Sequence, residues 1–339
     1  MDSRALRQAL LNPAIYPERP REVEFSETHI SLLFFTENHV YKVKKPVDFG
    51  FLDFTDLEKR RFYCHQEVEL NRRLSANVYL GVVEISEENG GISLDGSGEV
   101  IEYAVKMRRI SDDLLMSRLI EEGKVTEQMI AGVAEKLADF YVAADTNEEI
   151  SSYAKPERIR QDTDENFHQT RTYIGLTISR RAFEAIQGAT NSFLNEKRAF
   201  FEGRIAEGKV RDCHGDLRSE HIYLGDTILI IDCIEFNQRF RYTDVAADIG
   251  FLAMDLDYRG RSDFSKYLID SYIRRSGDQD ILEVLDFYKC YRAYVRGKVE
   301  SFRLDDQNIS PGEKEEALRR ARRFFRLSNG YATRLRKNR

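Results

Sequence analysis

Residues 211–236 read RDCHGDLRSEHIYLGDTILIIDCIEF and contain two carboxylates of functional interest. Asp216 follows a His-Gly pair, and Asp232 ends an Ile/Leu run. The runs 221–224 and 228–231 are typical of two short strands joined by a Gly-Asp-Thr turn. Such a hairpin would carry Asp232 back towards Asp216. The segment therefore predicts a proton acceptor beside a metal-binding carboxylate.

Composition limits the class of protein. The 339 residues are 42% hydrophobic and 32% charged, which is typical of a soluble globular chain long enough for two domains. A net charge of -6 argues against a generally basic nucleic-acid binder. The four cysteines lie far apart without a CxxC pair, so neither a disulfide framework nor a zinc knuckle is expected. With no signal-peptide-like start and no run near the ~20 apolar residues of a membrane span, we expect a cytoplasmic protein without a membrane partner.

The first third of the chain predicts a small antiparallel sheet with one helix. Five strands are expected, at 23–25, 30–35, 40–44, 82–85 and 99–107, with a turn at 88–91. Thr55 and Glu58 form a capping-box pattern, which predicts a helix running to about Leu74.

Two lysines and one glutamate of this region are candidate site residues. Side chains alternate along a strand, so Lys42 and Lys44 share one face and compete for the same role. Lysines that protect an edge strand are the alternative. On the helix, Glu67 falls in an apolar stripe, where a carboxylate needs a partner such as a strand lysine. A solvated Glu67 at the margin of the stripe is the other possibility.

The remaining chain predicts helices. They are expected at 112–122, 127–145, 180–207, 243–258, 263–275, 279–303 and 312–335. The predicted fold class is thus α+β, with two lobes. We expect a strand-rich lobe at 1–107, a connector at 108–111, and a helical lobe at 112–339 that includes the 211–236 segment.

A run of arginines between 319 and 326 is the single basic concentration of the sequence. Apolar residues recur within it at helical spacing, which favours a docked amphipathic helix with a solvated basic face. We therefore predict no nucleic-acid partner.

Together these residues resemble the aminoglycoside phosphotransferase family, a branch of the protein-kinase-like superfamily. The resemblance rests on the strand lysines, the helix glutamate, His214-Gly215-Asp216 and Ile231-Asp232, and it covers roughly residues 20 to 300. The sequence segments 41–46, 48–54 and 234–237 are similar to those of an uncharacterised bacterial branch of that family. Some members of that branch are fused to a P-loop domain. The chain contains no GxxxxGK[ST] segment, so no P-loop domain is expected within it.

The resemblance implies a role for each site residue in phosphoryl transfer from ATP. Asp216 would accept or orient the proton of an acceptor hydroxyl, and Asp232 would hold Mg2+ on the nucleotide phosphates. Lys42 would reach those phosphates while held by Glu67, with Lys44 as the alternative lysine. The turn 27–31 would cover the nucleotide and offer it backbone amides and Ser31. Asp248 is implied to be a structural partner of the catalytic loop.

His221 departs from the family pattern, which has an asparagine as second metal ligand five residues after the catalytic aspartate. Imidazole suits Mn2+ or Zn2+ better than Mg2+. His221 is the candidate second metal ligand beside Asp232, which admits Mn2+ as an alternative cofactor. Either the site is rebuilt around a different metal shell, with Glu220 or Glu235 supplying an oxygen, or catalysis is weakened.

Three functions follow from the resemblance. The first is an ATP-dependent phosphotransferase that modifies a hydroxyl of a small molecule, and the alternative is a catalytically weak or inactive nucleotide-binding regulatory protein. Phosphorylation of protein substrates ranks lowest, since no activation segment follows Asp232. A cationic acceptor would fit a pocket formed by Asp255, Asp257 or Glu235, although solvated surface carboxylates are the common alternative. Fold resemblance does not name the acceptor.

Overall fold

A sheet of six antiparallel strands forms the strand-rich part of the chain. Its strands are β1 Glu24–Glu27, β2 Ser31–Phe35, β3 His39–Lys44, β4 Tyr79–Glu88, β5 Gly91–Leu94 and β6 Glu99–Arg108, in the order β1-β2-β3-β6-β4-β5. The expectation of five strands was wrong, because the chain continues as β5 after the predicted turn. Asn89 and Gly90 adopt φ values of 51° and 78° there. Such left-handed values are what a tight hairpin turn requires.

The two faces of the sheet pack against different helices. Helix α1 spans Ser3–Leu10 and helix α2 spans Leu57–Ser75. Tyr41 and Val43 of β3 belong to an apolar cluster that includes residues of α1. Val40 belongs to a second cluster with Cys64 and Val68 of α2. Since side chains alternate along β3, Lys42 and Lys44 share the face that α2 covers.

Helix α2 begins one residue later than expected. Its N-cap is Asp56, whose side chain accepts hydrogen bonds from the backbone amides of Glu58 and Lys59. Thr55, the predicted cap, instead donates its hydroxyl to Asp53 at 2.6 Å. Both residue types cap helices well, so the sequence pattern alone does not separate two adjacent candidates.

Helices and short strands make up the rest of the chain. The helices are α3 Met116–Glu121, α4 Glu127–Ala143, α5 Glu148–Ser152, α6 Pro156–Thr170, α7 Arg180–Glu196, α8 Arg198–Ala206, α9 Gln238–Arg241, α10 Val245–Tyr258, α11 Ser262–Ser276, α12 Ile281–Phe302 and α13 Pro311–Lys337. The strands are β7 Val210–Asp212, β8 Ile222–Leu224, β9 Ile228–Ile230 and β10 Tyr242–Asp244.

Two helical expectations need correction, and one long helix was missed. The helix expected at 180–207 is two helices that meet at Lys197, where φ is -100° and ψ is 15°, outside the helical range. The helix expected at 112–122 is a single 3-10 turn at 112–114 followed by α3. Helix α6 was not expected. Its polar sequence PERIRQDTDENFHQT has few apolar residues to mark its buried side.

The computed structural model describes residues 3–337, which form two compact units. The first contains the chain up to Leu119 together with His221–Gln238, and the second contains Ile120–Glu220 and the chain from Arg239 onward. The hairpin, expected in the helical lobe, thus clusters with the sheet. No helix within residues 3–337 combines the length and the apolarity that crossing a membrane demands.

Candidate active site

Asp232 follows the predicted hairpin, which is confirmed. Strands β8 and β9 pair antiparallel, with Tyr223 opposite Leu229. Asp232 itself adopts a left-handed backbone conformation with φ 64°. Its amide donates to the hydroxyl of Tyr79 at 3.1 Å. Such a conformation costs a residue with a side chain about 1 kcal/mol, and such strained residues cluster at functional sites.

Two lysines and three carboxylates meet within the first unit, and we call them the lysine cluster: Lys42, Lys44, Glu67, Asp232 and Glu235. Lys42 Nζ lies 2.8 Å from Glu67 Oε1 and 2.9 Å from Asp232 Oδ1. Lys44 Nζ lies 2.7 Å from Glu67 Oε2 and also bonds Glu235 Oε1. The expectation that a strand lysine partners Glu67 is confirmed, and both lysines do so.

Burial and ion pairing act in opposite directions within the lysine cluster. Burial alone would lower the pKa of Lys42, but the charges of Asp232 and Glu67 raise it well above its usual value. Burial favours a higher pKa for Glu67, yet Lys42 and Lys44 hold that pKa below its usual value. Burial raises the pKa of Glu235, and Lys44 offsets only part of the effect. Burial would also lower the pKa of Lys44, but the charges of Glu235 and Glu67 raise it, so both lysines are charged at neutral pH.

The two lysines differ in their access to solvent. The side chain of Lys42 is 13% exposed and that of its partner Asp232 is 46% exposed, whereas Lys44 and Glu235 are 1% and 5% exposed. Lys42 is thus the lysine at the open side of the cluster, and Lys44 is the one inside it.

His221 lies at the start of the hairpin, next to Asp232. Its Nε2 is 3.6 Å from Asp232 Oδ2, too long for a hydrogen bond but close enough for an electrostatic contact. Across residues 3–337, no group of three or more His, Cys, Asp or Glu side chains has the arrangement of a metal site.

Asp216 lies in the second unit, on a loop that Asp248 holds from behind. The backbone amides of His214 and Gly215 donate to the two oxygens of Asp248 at 2.7 and 3.0 Å. Gly215 has φ 90°, a left-handed value that favours glycine. The amide of Asp216 donates to His214 Nδ1 at 3.2 Å. The structural role expected for Asp248 is confirmed.

Arg218 grips the side chain of Asp216. Its Nε and one terminal nitrogen each lie 3.0 Å from a different oxygen of Asp216, and its other terminal nitrogen bonds Glu220. This is the two-pronged geometry in which arginine binds a carboxylate most strongly. Arg218 was not predicted from the sequence. The only signal was an arginine two residues after the candidate base.

Comparisons of the sequence with known proteins find relatives of unknown function. No family model matches the chain. Uncharacterised proteins of Mycobacterium bovis and Mycobacterium tuberculosis are 34% identical to it over 296 residues, which are 87% of this chain and 57% of theirs. The chain thus spans little more than half the length of these curated relatives.

Two solved structures resemble the chain over nearly its whole length. A choline/ethanolamine kinase family protein from Mesorhizobium loti is 11% identical, with a TM-score of 0.52, and the match covers 96% of this chain and 98% of that one. An aminoglycoside phosphotransferase candidate from Ralstonia eutropha is 15% identical, with a TM-score of 0.55 and 98% of both chains covered. The chain has an aminoglycoside phosphotransferase-like fold. The predicted α+β two-lobe class and the family resemblance are confirmed at this level.

Within this phosphotransferase-like fold, the predicted site residues fall into two groups. Lys42, Lys44, Glu67, Asp232 and His221 come together in the first unit, whereas Asp216 belongs to the second. Ser31 lies opposite Lys44 on the neighbouring strand. Its side chain is fully buried, and its hydroxyl has no hydrogen-bond partner among the residues that the structure describes.

The two carboxylates that could replace the missing asparagine are both engaged in ion pairs. Glu235 accepts from Lys44, while Glu220 accepts from Arg218 and from Arg259 at 3.1 Å. Asp232 is also ion-paired, with Lys42, and its side chain is half-exposed.

Proposed function

We propose that the chain is an ATP-dependent phosphotransferase that moves the γ-phosphate to a hydroxyl of a small molecule. The observation that carries this proposal is the position of Lys42, whose ammonium contacts both Glu67 and the half-exposed Asp232. Phosphoryl transfer requires positioned charge more than covalent chemistry. A lysine fixed by a buried glutamate, beside an open carboxylate, supplies such charge.

Each residue has a role under this proposal. Lys42 binds nucleotide phosphate oxygens, and Glu67 and Lys44 fix its position. Asp216 accepts or orients the proton of the acceptor hydroxyl. Arg218 bonds both oxygens of Asp216, so under this proposal that contact loosens or shares an oxygen when the hydroxyl binds.

The residues fit Mg2+ in part. Asp232 offers a half-exposed carboxylate, the hard oxygen ligand that Mg2+ prefers, and the ion usually takes its other ligands from phosphates and water. His221 is a poorer ligand for Mg2+ and suits a role in orienting Asp232. When bound, the ion would neutralise charge on the nucleotide phosphates.

The test is turnover of ATP by purified protein with a library of hydroxylated metabolites, in Mg2+ and separately in Mn2+. We expect metal-dependent transfer or slow hydrolysis that falls about 1,000-fold in Asp216→Asn. Asp226→Asn is the matched control, because Asp226 is exposed at the hairpin turn. Equal turnover in the parent and in Asp216→Asn, or none in either, would end the proposal.

A nucleotide-binding regulatory protein is the second candidate, and His221 beside Asp232 favours it. Such a protein would bind the nucleotide without a metal ion. A rise in melting temperature with ATP that is equal in Mg2+ and in EDTA, without turnover, would favour this candidate, because a ligand stabilises the state that binds it.

A further inference from the structure

Three arginines from the end of α12, the turn after it and α13 surround the buried Glu300. We call Arg296, Arg303 and Arg320 the arginine cluster. The distances to Glu300 oxygens are 3.3 Å from Arg296, 3.9 Å from Arg303 and 3.0 Å from Arg320. Arg320 also pairs with Glu316 at 2.7 Å, and Glu316 is 53% exposed. A single buried carboxylate thus serves three guanidinium groups.

Two hydrogen-bond donors of the arginine cluster are unused within residues 3–337. A guanidinium carries five N–H donors. Within residues 3–337, the Nε atoms of Arg296 and Arg303 are buried and have no hydrogen-bond partner. Arg303 reaches Glu300 only at 3.9 Å, beyond hydrogen-bond distance. Buried donors of this kind call for a partner, either water or an ion.

The cluster is open to small solutes while its glutamate is not. The side chains of Arg296, Arg303 and Arg320 are 19%, 30% and 29% exposed, whereas Glu300 is 5% exposed. The arginine side chains therefore form the accessible side of the cluster, and the carboxylate is buried.

The arginine cluster is electrostatically linked to the Asp216 loop of the same unit. Burial and the nearby charge of Arg218 lower the pKa of Arg296, and Asp216 and Glu300 act in the opposite direction. Two arginines close enough to oppose each other's charge gain from an anion that binds between or beside them.

The carboxylates considered for a cationic acceptor are already neutralised. Asp255 accepts from the amide of Ser219 at 3.0 Å and from Arg259 at 3.4 Å. Asp257 pairs with Lys289 at 2.6 Å, and Glu235 belongs to the lysine cluster. None of the three is a lone carboxylate waiting for a cation.

We propose that the arginine cluster binds an oxyanion, and that the acceptor of the proposed phosphotransferase is a hydroxylated compound carrying a phosphate or carboxylate group. Guanidinium groups match the planar, two-oxygen geometry of both anions. The oxyanion binds the exposed parts of the three arginine side chains, and the hydroxyl to be phosphorylated lies elsewhere on the same molecule. The substrate-class part rests on the proposed function, whereas the oxyanion site does not.

The oxyanion site is tested with inorganic phosphate as the probe, without nucleotide. The melting temperature is measured at phosphate concentrations from 0 to about 50 mM, a range that covers the dissociation constant of a weak single-anion site. Chloride keeps the ionic strength constant. Arg296→Met and Arg303→Met each remove one guanidinium, and Arg326→Met removes an exposed one from the same helix as Arg320. We expect phosphate to bind the parent and Arg326→Met with equal affinity. It should bind Arg296→Met and Arg303→Met about tenfold more weakly.

A parent that phosphate does not stabilise would overturn the site. So would equal phosphate affinity in the parent and both cluster variants, because binding would then lie elsewhere, for example at Lys42. If Arg296→Met fails to fold, Arg303→Met carries the test, since Arg303 follows the end of α12 and lies 3.9 Å from Glu300.

The substrate class is tested with panels of sugar phosphates, hydroxy acids, neutral sugars and amino sugars. Acceptance of phosphates or of acids, with KM raised about tenfold in Arg303→Met and little change in kcat, supports it and identifies which anion is used. Acceptance of neutral or amino sugars alone would overturn it. If no compound is phosphorylated but phosphate still binds the parent more tightly than the cluster variants, the proposed phosphotransferase function is overturned and the oxyanion site is supported.

Discussion

The lysine cluster and the arginine cluster place similar charges in opposite settings. In the first, two lysines meet three carboxylates, and Lys44 is 1% exposed. In the second, three arginines share one buried glutamate and remain 19–30% exposed. The difference lies in how many donors the protein itself uses. A cation surrounded by carboxylates supports the fold, whereas a cation with unused donors can take a ligand.

Removing the shared carboxylate of the lysine cluster should have the largest effect. Glu67→Gln leaves the two buried ammonium groups around an amide whose NH2 group repels one of them. We expect a loss of about 3–5 kcal/mol in the free energy of unfolding, measured by urea denaturation. Glu69→Gln, exposed on the same helix, is the control. Equal stability of the two variants would mean that the cluster does not stabilise the fold.

The two lysines should separate in their effects on activity and on stability. Lys42→Met is expected to lower kcat/KM about 100- to 1,000-fold, because it removes a charge at the open side. Lys44→Met should mainly lower the free energy of unfolding, since it leaves Glu235 buried without its cation. Steady-state kinetics and urea denaturation of both variants make the comparison, and the reverse pattern would assign the phosphate contact to Lys44.

Lys298 tests what amide partners do in place of carboxylates. Its Nζ lies 2.6 Å from Asn166 Oδ1 and 2.8 Å from Gln169 Oε1, and burial lowers its pKa to about 8. Between pH 8 and the usual lysine value, the unfolded chain therefore holds a proton that the folded chain has lost. Unfolding free energy should rise with pH across that window, by about 3 kcal/mol.

The measurement for Lys298 is the difference in unfolding free energy between the parent and Lys298→Met at pH 7.5 to 10.5. Other lysines and tyrosines titrate in this range, so Lys266→Met, exposed on α11, provides the baseline. A difference that does not change with pH would show that Lys298 remains charged throughout.

Ser31 should show the smallest effect. Its buried hydroxyl has no hydrogen-bond partner within residues 3–337, so Ser31→Ala removes a buried unsatisfied polar group. We expect an unfolding free energy that is unchanged or higher by about 1 kcal/mol, with ATP affinity unaltered. Thermal melts with and without ATP measure both, and Ser26→Ala on β1 is the exposed control. Weaker ATP binding in Ser31→Ala alone would support the role that the resemblance implied for Ser31.

The local part of this structure could be predicted from the sequence. Alternation placed Lys42 and Lys44 on one face, and helical spacing put Glu67 in a buried stripe, because both patterns depend only on near neighbours. Pairings across the chain could not be predicted in the same way. The Lys44–Glu235 contact joins residues 191 positions apart, and the grip of Arg218 on Asp216 depends on rotamers that no spacing encodes.

The first unit is built from two stretches of chain, with about a hundred residues of the second unit between them. Lys42 meets Asp232 across 190 positions. During synthesis, which proceeds from the N-terminus, β3 and α2 leave the ribosome long before Asp232 and Glu235 do. Until then, Glu67 is the sole carboxylate of the cluster for two ammonium groups. The lysine cluster of the first unit is therefore complete only after Ile120–Glu220 has been made.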